Sequence, residues 1–109
     1  MKKEARVKQK SEFDNIIKTA RYKKNSFFVL YYKPKEQLDA RFGIAVGTKI
    51  GNAVTRNKLK RRVREIIKET IFLFSNPADY IIMVRKQCLA LDYRQMKEEL
   101  IKLIQQVNI

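Results

Sequence analysis

A block of basic residues between Lys49 and Lys68 is the part of this chain best suited to chemistry. It holds eight Lys or Arg residues and one acid, Glu65, so its net charge is +7. Exposed helix faces usually mix both signs of charge, so a block with so little acid favours contact with a polyanion. Lys and Arg bind phosphate groups, and the block predicts a nucleic-acid contact.

Val54, Leu59 and Val63 interrupt these charges, and the block has the period of an amphipathic helix. At about 100° per residue, an apolar stripe stays within about 60° of Leu59 and is expected to pack on a sheet. The stripe contains Val63, Ile66, Thr70 and Phe74, with Ile67 just outside it. Asn57, Arg61, Arg64 and Lys68 fall on the opposite side, and Lys58 and Lys60 flank the stripe. The cations would be held outward, about one turn apart, within reach of successive phosphates.

Arg56 does not follow this pattern, because it projects onto the apolar side of the helix. Either the first turn of the helix overhangs the edge of the sheet, or Arg56 turns into a cleft and binds a ligand there. The sequence leaves both alternatives open.

Aromatic residues form a second candidate set, because exposed rings beside basic residues stack on unpaired bases. The set contains Phe13, Phe28, Tyr31, Tyr32 and Phe42. Alternation along a strand puts Phe28 and Tyr32 on one face and Phe27, Val29 and Tyr31 on the other. Most of these rings are expected in the core. Tyr31 is the best candidate for exposure, because its phenol tolerates water.

Residues for catalysis by the protein itself are missing. The chain has no His and a single Cys, which leaves no imidazole base, no Cys–His or Ser–His pair and no zinc site. It has no P-loop or GxGxxG sequence, and its scattered carboxylates suit helix capping better than metal binding. We expect a partner to supply the chemistry of any reaction, and Cys88 to be a core residue.

The whole chain is strongly basic, with 25 Lys and Arg against 11 Asp and Glu and a net charge of +14. Such a field attracts nucleic acid first and an acidic membrane surface second. Composition alone leaves open a ribosomal protein or RNA chaperone, a protein-only nuclease and a membrane-surface protein. The missing His disfavours the nuclease.

The length of 109 residues suits one domain, 1–109. Residues 1–10 carry five basic side chains and no apolar period, so they are expected to form a mobile or partner-ordered arm. This segment has no apolar run typical of a secretory signal, and a lone Cys suits a reducing compartment. The sequence therefore predicts a cytoplasmic location.

The pattern of the remaining residues predicts six main elements. Ser11 is expected to cap a short helix with Phe13, Ile16, Ile17 and Ala20 on its apolar side. Strands are expected at 26–33 and 41–48, forming an antiparallel hairpin with a long loop, and a short extra strand at 21–23 has weak support.

The second half is expected to form a helix, a strand and a helix. Asn52 would cap a long helix that runs to about Phe74, and residues 80–85 would form a buried strand parallel to an earlier one. Asp92 and Gln95 would form the capping box of the last helix. This order predicts an α+β two-layer sandwich with helices mainly on one face of a small sheet.

The run TKIGNAVTRNKLKRRVRE resembles the signature of the protein component of bacterial ribonuclease P. The resemblance covers nearly the whole chain, from the basic arm and the short helix with Phe13 to the FVLYY strand, the YIIMVRK strand and the final amphipathic helix. It implies a small mixed sheet with helices and a left-handed βαβ crossover through the signature helix.

The resemblance also implies a division of labour. A catalytic RNA subunit would cut the 5′ leader from precursor tRNA with magnesium, while the protein binds that RNA and the single-stranded leader. It implies no catalytic side chain and no metal or cofactor bound tightly by the protein alone. No membrane and no stable protein partner would be needed.

Site residues follow from the resemblance by position. The catalytic RNA would contact Lys49, Asn52, Arg56, Asn57, Lys58, Lys60, Arg61, Arg64 and, at the end of the same row, Lys68. A cleft between the first helix and the sheet would hold the leader on Phe13, Ile17, Phe28 and Tyr31. Lys58 stands where the family commonly has Arg, which replaces a bidentate grip by a point charge. Ile17 stands where an aromatic residue is common, which leaves an apolar wall without a stacking ring.

Overall fold

The computed structural model describes residue 7 and residues 10–35, 40–74 and 77–107. Within these residues the chain forms helices α1 (Lys10–Thr19), α2 (Ala53–Thr70) and α3 (Tyr93–Val107). The strands are β1 (Arg21–Lys24), β2 (Phe28–Pro34), β3 (Arg41–Val46) and β4 (Ala78–Val84). Residues 36–39, 75–76 and nearly all of the basic arm lie outside this description.

The strands form one mixed sheet in the order β1-β2-β4-β3. β4 pairs antiparallel with β2 and parallel with β3, so the predicted parallel strand is confirmed. The predicted hairpin of β2 with β3 is wrong, because β4 lies between them. The run Tyr80–Val84 is apolar on both faces, and a central position buries both.

The main core lies between one face of the sheet and α2 and α3. The predicted stripe of α2 is confirmed for its buried residues Leu59, Val63, Ile66, Ile67 and Thr70. The predicted end at Phe74 is wrong, because α2 ends at Thr70 and Phe74 packs against the core from beyond the helix. Val54 is 78% exposed and belongs to neither core. Helix α3 adds Met96, Leu100, Leu103, Ile104 and Val107.

Helix α1 packs on the other face of the sheet, where Ile16 and Ile81 form a smaller cluster with Val7. The predicted α+β sandwich is confirmed for α2 and α3, and α1 adds a partial layer opposite them. The backbone N–H of Val7 donates to the carbonyl of Phe42 at 3.0 Å. One residue of the arm is thus tied to the sheet.

Local hydrogen bonds explain where two helices start. The Asn52 side chain accepts from the Thr55 N–H at 2.9 Å, and Asp92 and Gln95 cap each other at 2.8 and 3.0 Å, as predicted. Helix α1 begins at Lys10, so Ser11 lies inside it and is not its cap. The chain from β3 through α2 to β4 joins two parallel neighbours, and the left hand of this crossover stays a prediction.

Cys88 is fully buried, as predicted for a core residue. Its Sγ donates to the carbonyl of Phe27 at 3.3 Å, and burial raises the pKa of the thiol to about 12. The thiol is therefore protonated and unreactive at neutral pH.

In the part of the chain that the structure describes, no helix combines the length and apolar character that crossing a membrane requires.

Candidate nucleic-acid interface

The basic face of α2 is defined by Asn57, Lys58, Arg61, Arg64 and Lys68, which are all exposed. The buried stripe through Leu59 and Val63 fixes the opposite side of the helix on the sheet. The side chains therefore start from one rigid support. Asn57, Arg61, Arg64 and Lys68 lie opposite the buried stripe, as the helical period predicts, and Lys58 lies on its flank.

Most of the positive charge on the basic face is not neutralised by neighbouring acidic residues. Within the described residues, the cations from Lys49 to Arg64 form no ion pair. Lys68 Nζ lies 3.8 Å from Glu65 Oε1, an exposed pair of little energetic worth. Glu69 instead faces α3, where hydrogen bonds from Lys97 and Tyr93 lower the pKa of its carboxyl. The basic face can thus meet an external polyanion with its charge intact.

The start of α2 places three further predicted residues beside the basic face. Lys49 is exposed on the short helical turn before α2, and Asn52 is exposed as the cap. Arg56 is half-buried, and its Nε donates to the carbonyl of Gly51 at 3.2 Å. Of the two alternatives for Arg56, this position at the start of its own helix agrees with the overhang and not with a side chain turned into a cleft.

A cleft of about 790 Å³ separates α1 from the end of the sheet where β3 and β4 finish. Phe13 of α1 forms part of its wall, and Ala45 and Met83 contribute to its floor. Its charged lining residues are the four cations Lys10, Lys60, Arg85 and Lys86 and one acid, Asp14. The cleft thus combines apolar surface with cations, which suits a single-stranded nucleic acid.

Lys60 connects the two surfaces. The sequence assigns it to the flank of the apolar stripe with the other α2 cations, and the structure places it half-buried in the lining of the cleft. Arg85 and Lys86 are lining residues that sequence reasoning missed. Their signal was their position directly after the buried strand, where the carboxyl ends of parallel strands form a common edge.

The predicted cleft residues divide between the two faces of the sheet. Phe13, Ile17 and Tyr31 all pack with the α1 cluster and are half-buried, but of these three only Phe13 lines the cleft. Phe28 is fully buried in the main core on the opposite face, so its predicted place in the cleft is wrong. Alternation along β2 is the reason, because Phe28 and Tyr31 are three residues apart and point to opposite faces. Phe27 also packs against the main core, contrary to its predicted side.

Gly43 provides the space for the Phe13 ring. A Cβ at Gly43 would lie 2.6 Å from Phe13 Cε2, which is too close for both to keep their positions. The absence of a side chain at Gly43 thus lets α1 approach β3 and sets the position of the ring at the wall of the cleft.

Gly43→Ala is expected to displace the Phe13 ring and weaken binding of single-stranded RNA by about fivefold, the low end of the effect of losing one stacked base. Fluorescence anisotropy with a labelled oligonucleotide measures this. Gly47→Ala is the control, because no atom lies within 4 Å of a Cβ there. Equal affinities of the two variants would show that the Phe13 position does not matter.

An ionic network ties α1 to the sheet on the side away from the cleft. Arg41 donates to both Asp79 oxygens at 3.0 and 2.9 Å and to both Glu12 oxygens at 3.0 Å. Lys35 adds a bond of 2.8 Å to Asp79. Burial opposes ionisation of Asp79, but the bonds from Arg41 and Lys35 outweigh it and lower the pKa of the carboxyl. Arg41 therefore fixes the α1 wall through Glu12.

Comparisons with known proteins match this chain to one protein family. The model of the family described as Ribonuclease P matches residues 1–108. The "Ribonuclease P protein component" of Mycoplasma capricolum subsp. capricolum is 44% identical over 109 residues, covering 99% of this chain and 100% of the relative. The protein of the same name from Bacillus cereus strain B4264 is 39% identical over 102 residues, covering 93% and 89%.

Solved structures of proteins from the same family are similar to the structure of this chain. The RNase P protein of Staphylococcus aureus superposes with a TM-score of 0.86 at 31% identity, covering 94% of this chain and 94% of that protein. The RNase P protein of Thermotoga maritima superposes with a TM-score of 0.85 at 30% identity, covering 93% and 96%. The similarity therefore extends over the sheet and the helices that form both surfaces.

Proposed function

The chain belongs to the ribonuclease P protein family, and on this premise we propose that its basic face binds the catalytic RNA subunit while its cleft holds the single-stranded 5′ leader of precursor tRNA. The chain acts in tRNA 5′ processing as part of ribonuclease P, an endoribonuclease, and its partner there is an RNA subunit.

One observation carries this proposal: the unneutralised cations of α2 continue through Lys60 into a cleft with apolar walls. A folded RNA on the basic face and a single strand in the cleft would lie side by side on one protein. The cleft could then present the strand to the catalytic RNA at a fixed position.

Electrostatics explains what the protein adds to an RNA enzyme. The catalytic RNA and its substrate are both polyanions, and a chain with a net charge of +14 lowers the cost of their approach. The cleft contributes affinity only when a leader is present. It therefore favours precursor over mature tRNA and helps product release, while the RNA carries out the hydrolysis.

Magnesium is assigned to the RNA side of the complex in this proposal. The described residues bring together no group of three or more His, Cys, Asp or Glu side chains suited to a metal ion. We propose that the magnesium ions are held mainly by the RNA, and that the complex acts in the cytoplasm.

A reconstitution assay tests the proposed function. Adding this chain to the catalytic RNA at low magnesium is expected to restore cleavage of precursor tRNA, because the added positive charge replaces part of the cation requirement. An unrelated basic ribosomal protein serves as the control. Unchanged cleavage, or cleavage by the protein without RNA, would overturn the proposal.

Tyr31→Ala tests, within the reconstituted complex, whether the leader also contacts the Tyr31 ring, which packs with the α1 cluster beside the cleft. Loss of one stacked base is expected to reduce affinity for leader-bearing tRNA by about 1–3 kcal/mol and to leave mature tRNA unaffected. Tyr31→Phe keeps the ring and should bind like the wild type. Equal losses of affinity for both tRNAs would show that Tyr31 is not part of the leader site. Both tRNAs are measured with one preparation of the variant, so a change in its folded fraction affects the two affinities equally.

A further inference from the structure

The strand register places one row of side chains beside α1, on the face of the sheet that carries this helix, and the row is only partly covered. Helix α1 covers a neighbouring row, since Phe13 stands over Gly43 and Ile16 packs on Ile81. The next row runs across all four strands, and residues paired across strands share a face. It consists of Lys24 on β1, Val29 on β2, Met83 on β4 and Ala45 on β3.

This row forms the floor of a groove beside α1, and the cleft occupies only its first half. Ala45 and Met83 line the cleft, next to Lys60. Val29 is half-buried and Lys24 is exposed, so the floor continues towards β1. Three strand spacings of about 4.8 Å give the row a length of about 14 Å.

Strand β1 supplies binding groups at the far end of the groove. All four of its residues, Arg21 to Lys24, are exposed. Within the described residues, its three cations form no ion pair. Tyr22 is 54% exposed, and its ring centroid lies 5.8 Å from that of Tyr31 at a tilt of 51°.

We propose that Tyr22 and Lys24 form an exit subsite for the part of the leader farthest from the cleavage position. An exposed ring can stack on an unpaired base and an ammonium group can bind the neighbouring phosphate. This inference rests on the proposed function and extends the leader path beyond the cleft.

The direction of the path follows from the positions of the two edges of the sheet. Helix α2 contacts β3, at the opposite edge from β1. A catalytic RNA on the basic face therefore lies at the β3 end of the groove, and the leader nucleotides next to the cut enter there. The upstream nucleotides then leave the groove over β1.

The test uses the reconstituted complex and a series of precursor tRNAs whose leaders grow by one nucleotide at a time. We expect the affinity of the wild-type complex for precursor tRNA to increase again when the leader becomes long enough to reach past the cleft. The double variant Tyr22→Ala/Lys24→Ala should not show this last increase. We expect a loss of roughly fivefold or more for long leaders and none for short ones.

A matched pair separates this subsite from general charge attraction. Lys23 and Lys24 are neighbours of equal charge, but Lys23 pairs with Leu30 and points to the other face of the sheet. Lys24→Ala is expected to lower the affinity for long leaders more than Lys23→Ala does. Equal losses for the two variants, or losses that do not depend on leader length, overturn the proposal.

Two further outcomes distinguish this inference from the proposed function. If Gly43→Ala, which displaces the Phe13 ring at the cleft wall, weakens leader binding while the β1 double variant does not, the cleft stands and the exit subsite is wrong. If the double variant also weakens binding of mature tRNA, β1 contacts another part of the RNA and the inference fails. A photocrosslinker at residue 24 should react with leader nucleotides farther from the cut than one at residue 13.

Discussion

Alanine at both Arg61 and Arg64 is expected to weaken binding of the catalytic RNA by about 100-fold, or roughly tenfold per charged hydrogen bond. Both side chains are exposed on the basic face and form no ion pair within the described residues. Each phosphate contact releases counterions, so the slope of log affinity against log salt should flatten by about two units in total, and by about one for Arg61→Ala. Titrations at several salt concentrations measure both quantities.

A double variant on α3 provides the control, because it removes the same charge from another surface. Arg94 is paired with Glu98 at 3.2 Å and Lys102 with Glu99 at 3.1 Å, so alanine there also releases two acids. We expect little change in affinity or slope. If both double variants behaved alike, net charge and not the basic face would determine RNA binding.

Arg41→Ala is expected to destabilise the fold by about 2–3 kcal/mol, less than the loss for a fully buried pair because Arg41 is partly exposed. The change leaves Asp79, which is 8% exposed, with the Lys35 ion pair alone, and it releases Glu12 of α1. Chemical denaturation measures the free energy of unfolding. Glu12→Gln should cost much less, because Asp79 keeps both cations.

The same variant should change the response to acid. The pKa of Asp79 is lowered in the folded state from a usual value of 3.8. Ionised Asp79 therefore stabilises the fold above about pH 3.8, and this contribution is lost as pH falls through the lower folded pKa. Arg41→Ala should make stability depend less on pH in that range. If the free energy of unfolding of the two proteins fell in the same way as the pH is lowered, carboxylates other than Asp79 would cause the loss of stability in acid.

Local patterns predicted most of the helical part of the fold. The stripe of α2 and the caps at Asn52 and Asp92 depend on residues within a few positions of each other, and the structure confirms them. Val54 is the exception to the apolar pattern of α2. It precedes the part of the helix that touches the sheet, so an apolar side chain remains exposed there.

Long-range arrangement was the part that local sequence patterns did not predict. Which strands become neighbours depends on burial across the whole sheet, and the local patterns of β2 and β3 do not show that β4 lies between them. The position of α1 on the opposite face has the same origin. It places Lys60 in the lining of the cleft between α1 and the sheet.

The central position of β4 has a consequence for synthesis of the chain. Strands β1 and β2 are close in sequence and can pair early, whereas β4 is the one strand among the described residues that pairs with β3. The sheet therefore cannot close until Val84 has left the ribosome, and until then β2 and β3 keep unpaired edges. Sheet formation in this chain depends on contacts between distant residues and should be slow for a domain of its size.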